Sequence, residues 1–365
     1  MVYNFCTLFD RNYLFKGLAL YNSLLKYCDN FKIWILCLDD ITYNLFKKMN
    51  LKNVELIRLN EFEDEELLKI KNTRSPVEYY WTCTPSLPLY ILRKEPVLNM
   101  VTYLDADLFF YSNPKPVYDE FGSNSILIVE HRYAPAYAKY EKTSGKYNVQ
   151  FLIFRNDSKA IECLNWWRKR CLEWCYFKHE DDKLGDQKYL DNWTEKFQGV
   201  HVIQHKGAGV APWNVQKYSI KNKNNQIFID EQQLIFYHFH QLNILSPTRF
   251  DLSRGYVLFE DAIELIYKPY IRQINQVINF VSKYEPTFDY GYDTEYFSRD
   301  FAGKNVIKNI VLKSKFLKNT LRKYVGKYFG KNYYLYELNK SCFSDLRKPQ
   351  KWYISGNLHY KGKIS

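Results

Sequence analysis

The chain has 365 residues, of which 46% are hydrophobic and 18% aromatic, and it carries a formal net charge of +12 at pH 7. This composition excludes an intrinsically disordered chain, and the length exceeds that of one typical domain. No uninterrupted apolar run reaches the roughly 18 residues that a membrane-spanning helix requires. The sequence therefore predicts one large domain with an appendage, or two domains.

Strand-like and helix-like patterns alternate along the first part of the chain. The pattern predicts three strands, at residues 2–10, 31–40 and 53–59, and four helices, at residues 13–27, 41–50, 61–71 and 84–94. Alternating units of this kind pack as a mostly parallel sheet with helices on both faces. The predicted fold class is therefore α/β.

Two carboxylates, Asp105 and Asp107, follow an apolar run at residues 99–104 that predicts a further strand. Carboxylates this close repel each other unless they share a proton or a cation. One could cap a turn while the other faces water, or both could bind a metal ion. Ligands of open α/β sheets bind beyond the carboxyl ends of the strands, where Asp10 would also lie. The three acids could therefore face one crevice.

Further strands are predicted at residues 125–131 and 146–157, and another near residue 200 leads into a glycine-rich loop. This loop, with Gly207 and Gly209, lacks the spacing of a phosphate-binding or dinucleotide-binding motif. A later apolar run ends at His238 and His240, which would point to the same side if the run is a strand. Such a pair can be structural or can bind a metal ion.

The eight cysteines are scattered along the chain, and several lie inside apolar runs. This usage predicts reduced thiols in a cytoplasmic protein. Cys171, Cys175 and His179 repeat every four residues, a spacing that would suit a zinc site on one helix face. The surrounding sequence favours instead an amphipathic helix whose thiols pack inward.

A strongly basic segment at residues 304–332 contains nine lysines and arginines and no acid, which leaves +3 of the net charge on the rest of the chain. Its apolar residues follow helical spacing. A basic amphipathic helix can lie on an anionic membrane surface, pack on the main domain or bind nucleic acid. Because the basicity is confined to one segment, we expect membrane contact and no nucleic-acid partner.

Six segments with recognisable motifs follow one another in a fixed order, at residues 7–27, 103–114, 146–157, 185–193, 207–214 and 236–242. Together they resemble glycosyltransferases of the GT-A fold and are similar in layout to family 8, the glycogenin and bacterial lipopolysaccharide galactosyltransferase group. The resemblance implies a Rossmann-like, mostly parallel mixed sheet flanked by helices over residues 1–245. We expect a helical or loop extension over 246–303, with two helices interrupted at Pro269, and a basic amphipathic segment over 304–365.

The resemblance assigns Asp105 and Asp107 to a metal motif, with His238 or His240 as the third protein ligand. Transfer of a sugar from a nucleotide diphosphate leaves extra negative charge on the departing phosphate, which a divalent ion offsets. Carboxylates suit Mg²⁺ or Mn²⁺, and an added imidazole favours Mn²⁺. The expected cofactor is therefore Mn²⁺, or Mg²⁺.

The resemblance also implies which residues hold the donor, together with Asp105. Asp10 and Tyr13 match residues around the uridine of a UDP-sugar, where the tyrosine ring stacks on the base. Asn148 matches an asparagine near the donor or acceptor sugar. The loop with Gly207 and Gly209 matches a loop near the diphosphate.

Asp186 and Gln187 match the pair beneath the transferred sugar and are the expected catalytic residues. Asp186 would act as a general base or stabilise developing positive charge, with Glu130 as the reserve candidate. The resemblance favours retention of configuration at the sugar carbon.

The chain departs from family 8 at two places. Those proteins usually carry a Gly-x-Lys-Pro-Trp segment after the metal histidine, whereas residues 240–247 read His-Gln-Leu-Asn-Ile-Leu-Ser-Pro. The lysine that holds the diphosphate therefore has no clear counterpart. Gln150 stands where a small residue is common, so we expect different contacts on the acceptor side.

The expected function is transfer of a sugar from a UDP-sugar to a glycan or lipid-linked acceptor. The setting would be cell-surface polysaccharide synthesis at the cytoplasmic face of a membrane. A nucleotidyltransferase stays an alternative, although the glycine-rich signature expected after its first strand is absent. A non-catalytic nucleotide-sugar-binding protein is the other alternative.

Overall fold

The computed structural model describes residues 2–294 and the backbone of residues 333–337 and 352–355. The basic segment predicted at residues 304–332 lies outside the described residues. Among the helices that are described, none combines the length and the hydropathy needed to cross a bilayer.

The first part of the chain alternates strands and helices, as the sequence predicts. Its elements are β1 (Tyr3–Phe9), α1 (Leu14–Tyr27), β2 (Phe31–Cys37), α2 (Asp40–Met49), β3 (Val54–Arg58), α3 (Leu59–Phe62), α4 (Glu65–Lys71), α5 (Pro76–Cys83) and α6 (Ser86–Lys94). The middle part contains β4 (Met100–Leu104), β5 (Leu108–Phe110), α7 (Lys115–Phe121), β6 (Ile126–Glu130), α8 (Glu141–Ser144), β7 (Tyr147–Arg155), α9 (Ser158–Glu173), α10 (Trp193–Lys196) and β8 (Val200–Val202).

The last part of the described chain is built mostly of short strands and one long helix. Its elements are β9 (Ile220–Lys223), β10 (Gln226–Ile229), β11 (Gln232–Gln233), β12 (Phe236–His238), β13 (Asn243–Ser246), β14 (Arg249–Asp251), α11 (Glu260–Ala262), α12 (Lys268–Tyr284), β15 (Tyr333–Glu337) and β16 (Trp352–Ser355). The described chain also contains three 3₁₀ turns. They are Pro135–Tyr140 and Lys188–Asn192 in the middle part and Val215–Lys217 before β9.

Seven strands form the central sheet in the order β3-β2-β1-β4-β7-β6-β8. The pairs β1–β2, β2–β3, β1–β4 and β6–β8 are parallel, whereas β7 runs antiparallel to both β4 and β6. Because β1 and β4 are parallel neighbours, their carboxyl ends meet at one edge of the sheet. The predicted mostly parallel mixed sheet flanked by helices is confirmed.

Side-chain caps set the first turns of several helices. The Asp39 carboxylate accepts a hydrogen bond from the Thr42 amide at 2.7 Å and so begins α2. Ser75 and Glu78 form a capping box at α5, with Pro76 in the first turn. These local signals explain why helices begin where the sequence pattern predicts them.

Two hydrophobic layers cover the two faces of the sheet. Alternate residues of β1 face opposite sides, so Phe5 packs in the layer with α1 and α12, whereas Cys6 packs in the layer with α6 and α9. Lys48 of α2 donates a hydrogen bond to the Tyr284 carbonyl at the end of α12. Residues 246–284 of the predicted extension therefore share a core with residues 1–245.

The two helices expected around Pro269 form one continuous helix. A π-helical turn, Ile263–Tyr267, joins α11 directly to α12, and Pro269 lies in the first turn of α12. The expected interruption is wrong because the wider turn accommodates a proline ring that has no N–H to donate. The amphipathic face is therefore continuous from residue 260 to residue 284.

The cysteines behave as the amphipathic-helix interpretation predicts. Cys171 is buried near the end of α9, Cys175 is buried beyond it, and His179 is exposed on the following loop. The helix ends at Glu173, so the four-residue spacing does not bring these three groups onto one helix face. The seven described cysteines are free and buried.

Trp167 of α9 gives a test of the hydrophobic layer that contains α6 and α9. It is fully buried, its ring lies 5.2 Å from that of Trp193, and its Nε1 donates to the Asp186 carbonyl at 2.8 Å. We expect Trp167→Ala to lower the free energy of unfolding by about 3–5 kcal/mol, because it leaves a cavity and an unpaired carbonyl.

Urea unfolding followed by circular dichroism measures this change. The control is Leu68→Ala on α4, where the side chain is half exposed, and the expected change is below about 0.5 kcal/mol. Equal effects of the two substitutions would contradict the assignment of Trp167 to the core.

Candidate active site

A cavity of about 700 Å³ opens at the carboxyl ends of β1 and β4. Asp10 follows β1, and Asp105 and Asp107 follow β4, and all three line this cavity. Asp186 and Gln187 line it as well, on the loop before the 3₁₀ turn Lys188–Asn192. The crevice expected from the strand ends is therefore present, with the predicted carboxylates in it.

The pairing of β5 with β12 brings a histidine to the two carboxylates. The register places His238 opposite Leu108, directly after Asp107 in the chain. His238 Nε2 lies 3.0 Å from Asp107 Oδ1 and 3.8 Å from Asp105 Oδ2. One ligand atom from each of the three residues lies within 4.8 Å of the others. Two carboxylates and an imidazole converging at this distance fit a divalent cation.

The electrostatics of this cluster are those of closely coupled buried groups. Burial, together with the charge of Asp107, raises the pKa of Asp105 to about 6 although His238 opposes the shift. Burial also acts to raise the pKa of Asp107, but His238 and Lys16 outweigh it and lower that pKa overall. Burial acts to lower the pKa of His238, and the carboxylate of Asp107 reverses this and raises it. A cation bound here would require the neutral imidazole of His238, because a histidine binds a metal ion through an unprotonated nitrogen.

His240 is the second histidine of the predicted pair, and it occupies a different position. It lines the cavity, with its ring centroid 5.7 Å from that of His238, but it is not part of the cluster with the carboxylates. Burial and the neighbouring His238 lower the pKa of His240 to about 4. The structure therefore groups His238, and not His240, with Asp105 and Asp107.

Asp10 and Tyr13 lie next to each other in the cavity lining, where the Tyr13 amide donates a hydrogen bond to the Asp10 carbonyl at 3.0 Å. Asp10 accepts hydrogen bonds from the Asn12 amide and from Asn12 Nδ2, both at 2.9 Å. The Tyr13 side chain remains 44% exposed, and Lys16 Nζ lies 4.4 Å from its ring centroid. An open aromatic ring beside a polar pair is an arrangement that can hold a nucleoside base.

Hydrogen bonds connect Gln187 to Asn148 on β7 and to Ser144 at the end of α8. Asn148 Nδ2 donates to Gln187 Oε1 at 2.6 Å, and Gln187 Nε2 donates to the Ser144 carbonyl at 2.6 Å. Asn148 Nδ2 also lies 3.1 Å from His131 Nε2. These bonds fix the orientation of the Gln187 amide at the cavity wall.

The glycine-rich loop contributes to the cavity in a way that the sequence did not predict. Neither Gly207 nor Gly209 is among the residues that line the cavity. A Cβ atom on Gly207 would overlap the Gln233 carbonyl oxygen, and Gly209 has a φ of +84°. Both glycines therefore allow close packing of the backbone, while Trp213 of the same loop lines the cavity.

Trp213 connects the predicted histidines to two cavity-lining residues, His131 and Tyr256, that the sequence did not predict. Its ring centroid lies 5.0 Å from that of His131, 5.3 Å from those of both His238 and His240, and 6.4 Å from that of Tyr256. The ring therefore fixes one wall beside the cluster.

The reserve candidate Glu130 is not among the cavity-lining residues, whereas the next residue, His131, is. Successive side chains of a strand point to opposite faces, so the alternation after residue 125 could have indicated that His131, and not Glu130, faces the cavity.

Asp186 is a buried acid whose pKa is strongly raised. Burial and the nearby charge of Asp105 raise its pKa to about 8, although a hydrogen bond from Thr84 opposes the shift. An unfolded aspartate has a pKa near 4. The stability contributed by this group is therefore complete below about pH 4 and is lost as pH rises through 8.

We expect Asp186→Asn to raise the thermal midpoint relative to the unmodified chain by roughly 5 °C more at pH 9 than at pH 6, because only the aspartate must ionise. Differential scanning calorimetry in a chelating buffer measures this difference. Asp119→Asn, at an exposed position of α7 where the aspartate pairs with Lys115, is the matched control and should show no such trend. A pH-independent effect at position 186 would contradict the raised pKa.

Comparison with solved structures gives likenesses to glycosyltransferases. The galactosyltransferase LgtC in complex with donor and acceptor sugar analogues is 14% identical, with a TM-score of 0.48, and the match covers 76% of this chain and 96% of LgtC. Mouse xyloside xylosyltransferase 1 is 12% identical, with a TM-score of 0.43, and the match covers 66% of this chain and 98% of that one. The glycosyltransferase GlyE of Streptococcus pneumoniae TIGR4 is 15% identical, with a TM-score of 0.37, and the match covers 57% and 47%.

Comparison of sequences gives stronger likenesses. No protein-family model matches the chain. The uncharacterized protein YfnD of Bacillus subtilis is 33% identical over 293 residues, which are 80% of this chain and 94% of YfnD. The uncharacterized protein YfnF of the same bacterium is 31% identical over 292 residues, 78% of this chain and 96% of YfnF. Identity at this level over most of both partners shows that the chain belongs to the protein family of YfnD and YfnF.

Proposed function

We propose that this protein is a metal-dependent glycosyltransferase that uses a nucleotide-diphospho-sugar, with UDP as the nucleotide. The observation that carries the proposal is the convergence of Asp105, Asp107 and His238 in the cavity that Asp10 and Tyr13 also line. A cation site beside a place for a nucleoside base is what a nucleotide-diphosphate donor requires. The motif order in the sequence gives the same assignment.

The three residues of the cluster would hold Mn²⁺ or Mg²⁺, with the imidazole favouring Mn²⁺. The ion would offset the negative charge that develops on the departing diphosphate. Lys16 Nζ lies 3.9 Å from Asp107 Oδ2, and burial lowers the pKa of this lysine. Lys16 therefore helps to hold Asp107 in position for the cation.

Asp186 and Gln187 are proposed to hold the transferred sugar. The raised pKa of Asp186 keeps this carboxyl protonated near neutral pH in the free protein, so it can donate a hydrogen bond. Gln187 is oriented by Asn148 and Ser144. We propose transfer with retention of configuration, which the resemblance of the motifs to family 8 supports.

The acceptor is proposed to be a glycan or a lipid-linked sugar used in cell-surface polysaccharide synthesis. A part of the cavity lining is aromatic, with the side chains of Tyr133, Tyr140, Trp213 and Tyr256. Aromatic faces of this kind pack well against the apolar faces of sugar rings. This aromatic lining supports a carbohydrate acceptor.

A screen of UDP-sugars for hydrolysis in the presence of Mn²⁺ tests the proposed activity. We expect slow release of UDP from one donor, loss of this release on chelation, and a decrease of at least about 100-fold in Asp107→Ala. Asp119→Ala on α7 is the control and should keep full activity. Release of UMP and a sugar 1-phosphate instead of UDP would favour a nucleotidyltransferase, because such an enzyme breaks the bond between the two phosphates. Mn²⁺-independent UDP binding without turnover of any donor would favour a nucleotide-sugar binder.

We also propose a location at the cytoplasmic face of a membrane. The free cysteines of the described residues are compatible with a reducing compartment, and the basic segment 304–332 in the sequence supports contact with anionic lipid. We expect the full chain to float with liposomes that contain anionic lipid and removal of residues 304–332 to abolish flotation. Flotation that is unchanged by this deletion would contradict membrane contact through the segment.

A further inference from the structure

The charge of the cavity lining is unbalanced for a diphosphate ligand. Four aspartates line the cavity, and Asp186 stays protonated near neutral pH, so the acidic charge is carried by Asp10, Asp105 and Asp107. The carboxylates of Asp105 and Asp107 would neutralise most of the charge of a divalent cation. A bound nucleoside diphosphate therefore needs a further positive group, and the lysine of the resembling family has no counterpart after His238.

Arg254 is the only lysine or arginine among the described residues that line the cavity. Lys16, the nearest basic residue to the cluster, is buried against Asp107 and is not part of the lining. Its ammonium lies 3.9 Å from Asp107 Oδ2, and contact with a ligand in the cavity would break this ion pair. Arg254 is therefore the cation that a diphosphate in this cavity can contact.

The segment that carries Arg254 is connected through ring contacts to His238, one of the three residues of the cluster. Gly255 has a φ of +94°, and the next residue, Tyr256, packs its ring against His240 at 6.1 Å and Trp213 at 6.4 Å. Trp213 in turn contacts His238. This chain of rings joins the segment to a residue of the cluster, and Arg254 and His238 line the same cavity.

The backbone after Tyr256 is held on its other side as well. The Val257 amide donates to the Tyr137 hydroxyl at 2.8 Å, and Gln216 Nε2 donates to the Val257 carbonyl. Arg254 also has an interaction of its own within the protein. A guanidinium has five N–H donors, so it can keep this contact and bind an anion.

We propose that the Arg254 guanidinium binds the diphosphate of the nucleotide donor beside the metal ion. This inference rests on the proposed function and extends it by naming the residue that replaces the missing lysine. A planar guanidinium can donate two parallel hydrogen bonds to phosphate oxygens, which gives direction as well as charge. It would therefore position the diphosphate and stabilise the departing UDP.

Calorimetric titration of the full chain with UDP and with UMP, each with Mn²⁺, tests this proposal. We expect Arg254→Gln to weaken UDP binding roughly 10- to 100-fold, the loss typical of a charge-assisted hydrogen bond, and UMP binding much less. Arg254→Lys should lie between the two because it keeps the charge but not the planar donor pair. The ratio of UDP to UMP affinity is the decisive reading, since damage to the fold would weaken both ligands.

Arg249→Gln is the matched control, because Arg249 lies on β14 and is not among the cavity-lining residues. It should leave both affinities unchanged. If the unmodified chain binds UDP with Mn²⁺ but Arg254→Gln binds UDP equally well, this inference is wrong and the proposed function stands. If the unmodified chain does not bind UDP at all, both are wrong. Unchanged UDP binding with slower sugar transfer would assign Arg254 to the acceptor and would also overturn the inference.

Discussion

The cavity depends on the antiparallel pairing of two three-residue strands, β5 and β12. Its register sets His238 opposite Leu108 and Phe236 opposite Phe110. The Phe236 ring also stacks on Phe151 of the central sheet, with centroids 4.8 Å apart and planes 8° from parallel. A slip of one residue would move every side chain of β12 to the other face and separate the imidazole from the carboxylates. Aromatic packing therefore maintains the geometry of Asp105, Asp107 and His238.

Local patterns were sufficient to predict the main sheet and several residues at its edge. An apolar run indicates both a buried strand and the point where it ends, and polar residues at that point have few other positions available. This is why Asp10, Asp105 and Asp107 could be placed at one crevice before the fold was known. The alternation of strands and helices likewise predicted the α/β class, because each period reports a local geometry.

Features that depend on contacts between distant segments could not be predicted in the same way. The choice between His238 and His240 follows from the register of β12 against β5, which no local pattern encodes. The Trp213 contacts with His131 depend on how a loop packs on a strand. The continuous helix across Pro269 depends on a π-helical turn, and hydrophobic periodicity does not distinguish such a turn from a break.

The close packing of Gly207 and Gly209 limits how this site can change during evolution. Side chains at these two positions would collide with a neighbouring backbone carbonyl and with Val129, so the path of the loop is fixed by its surroundings. Variation is easier at cavity-lining positions whose side chains are exposed, such as Tyr140. New substrate preferences in relatives with this architecture would therefore arise through replacement of wall side chains, while insertions in the loop would be selected against.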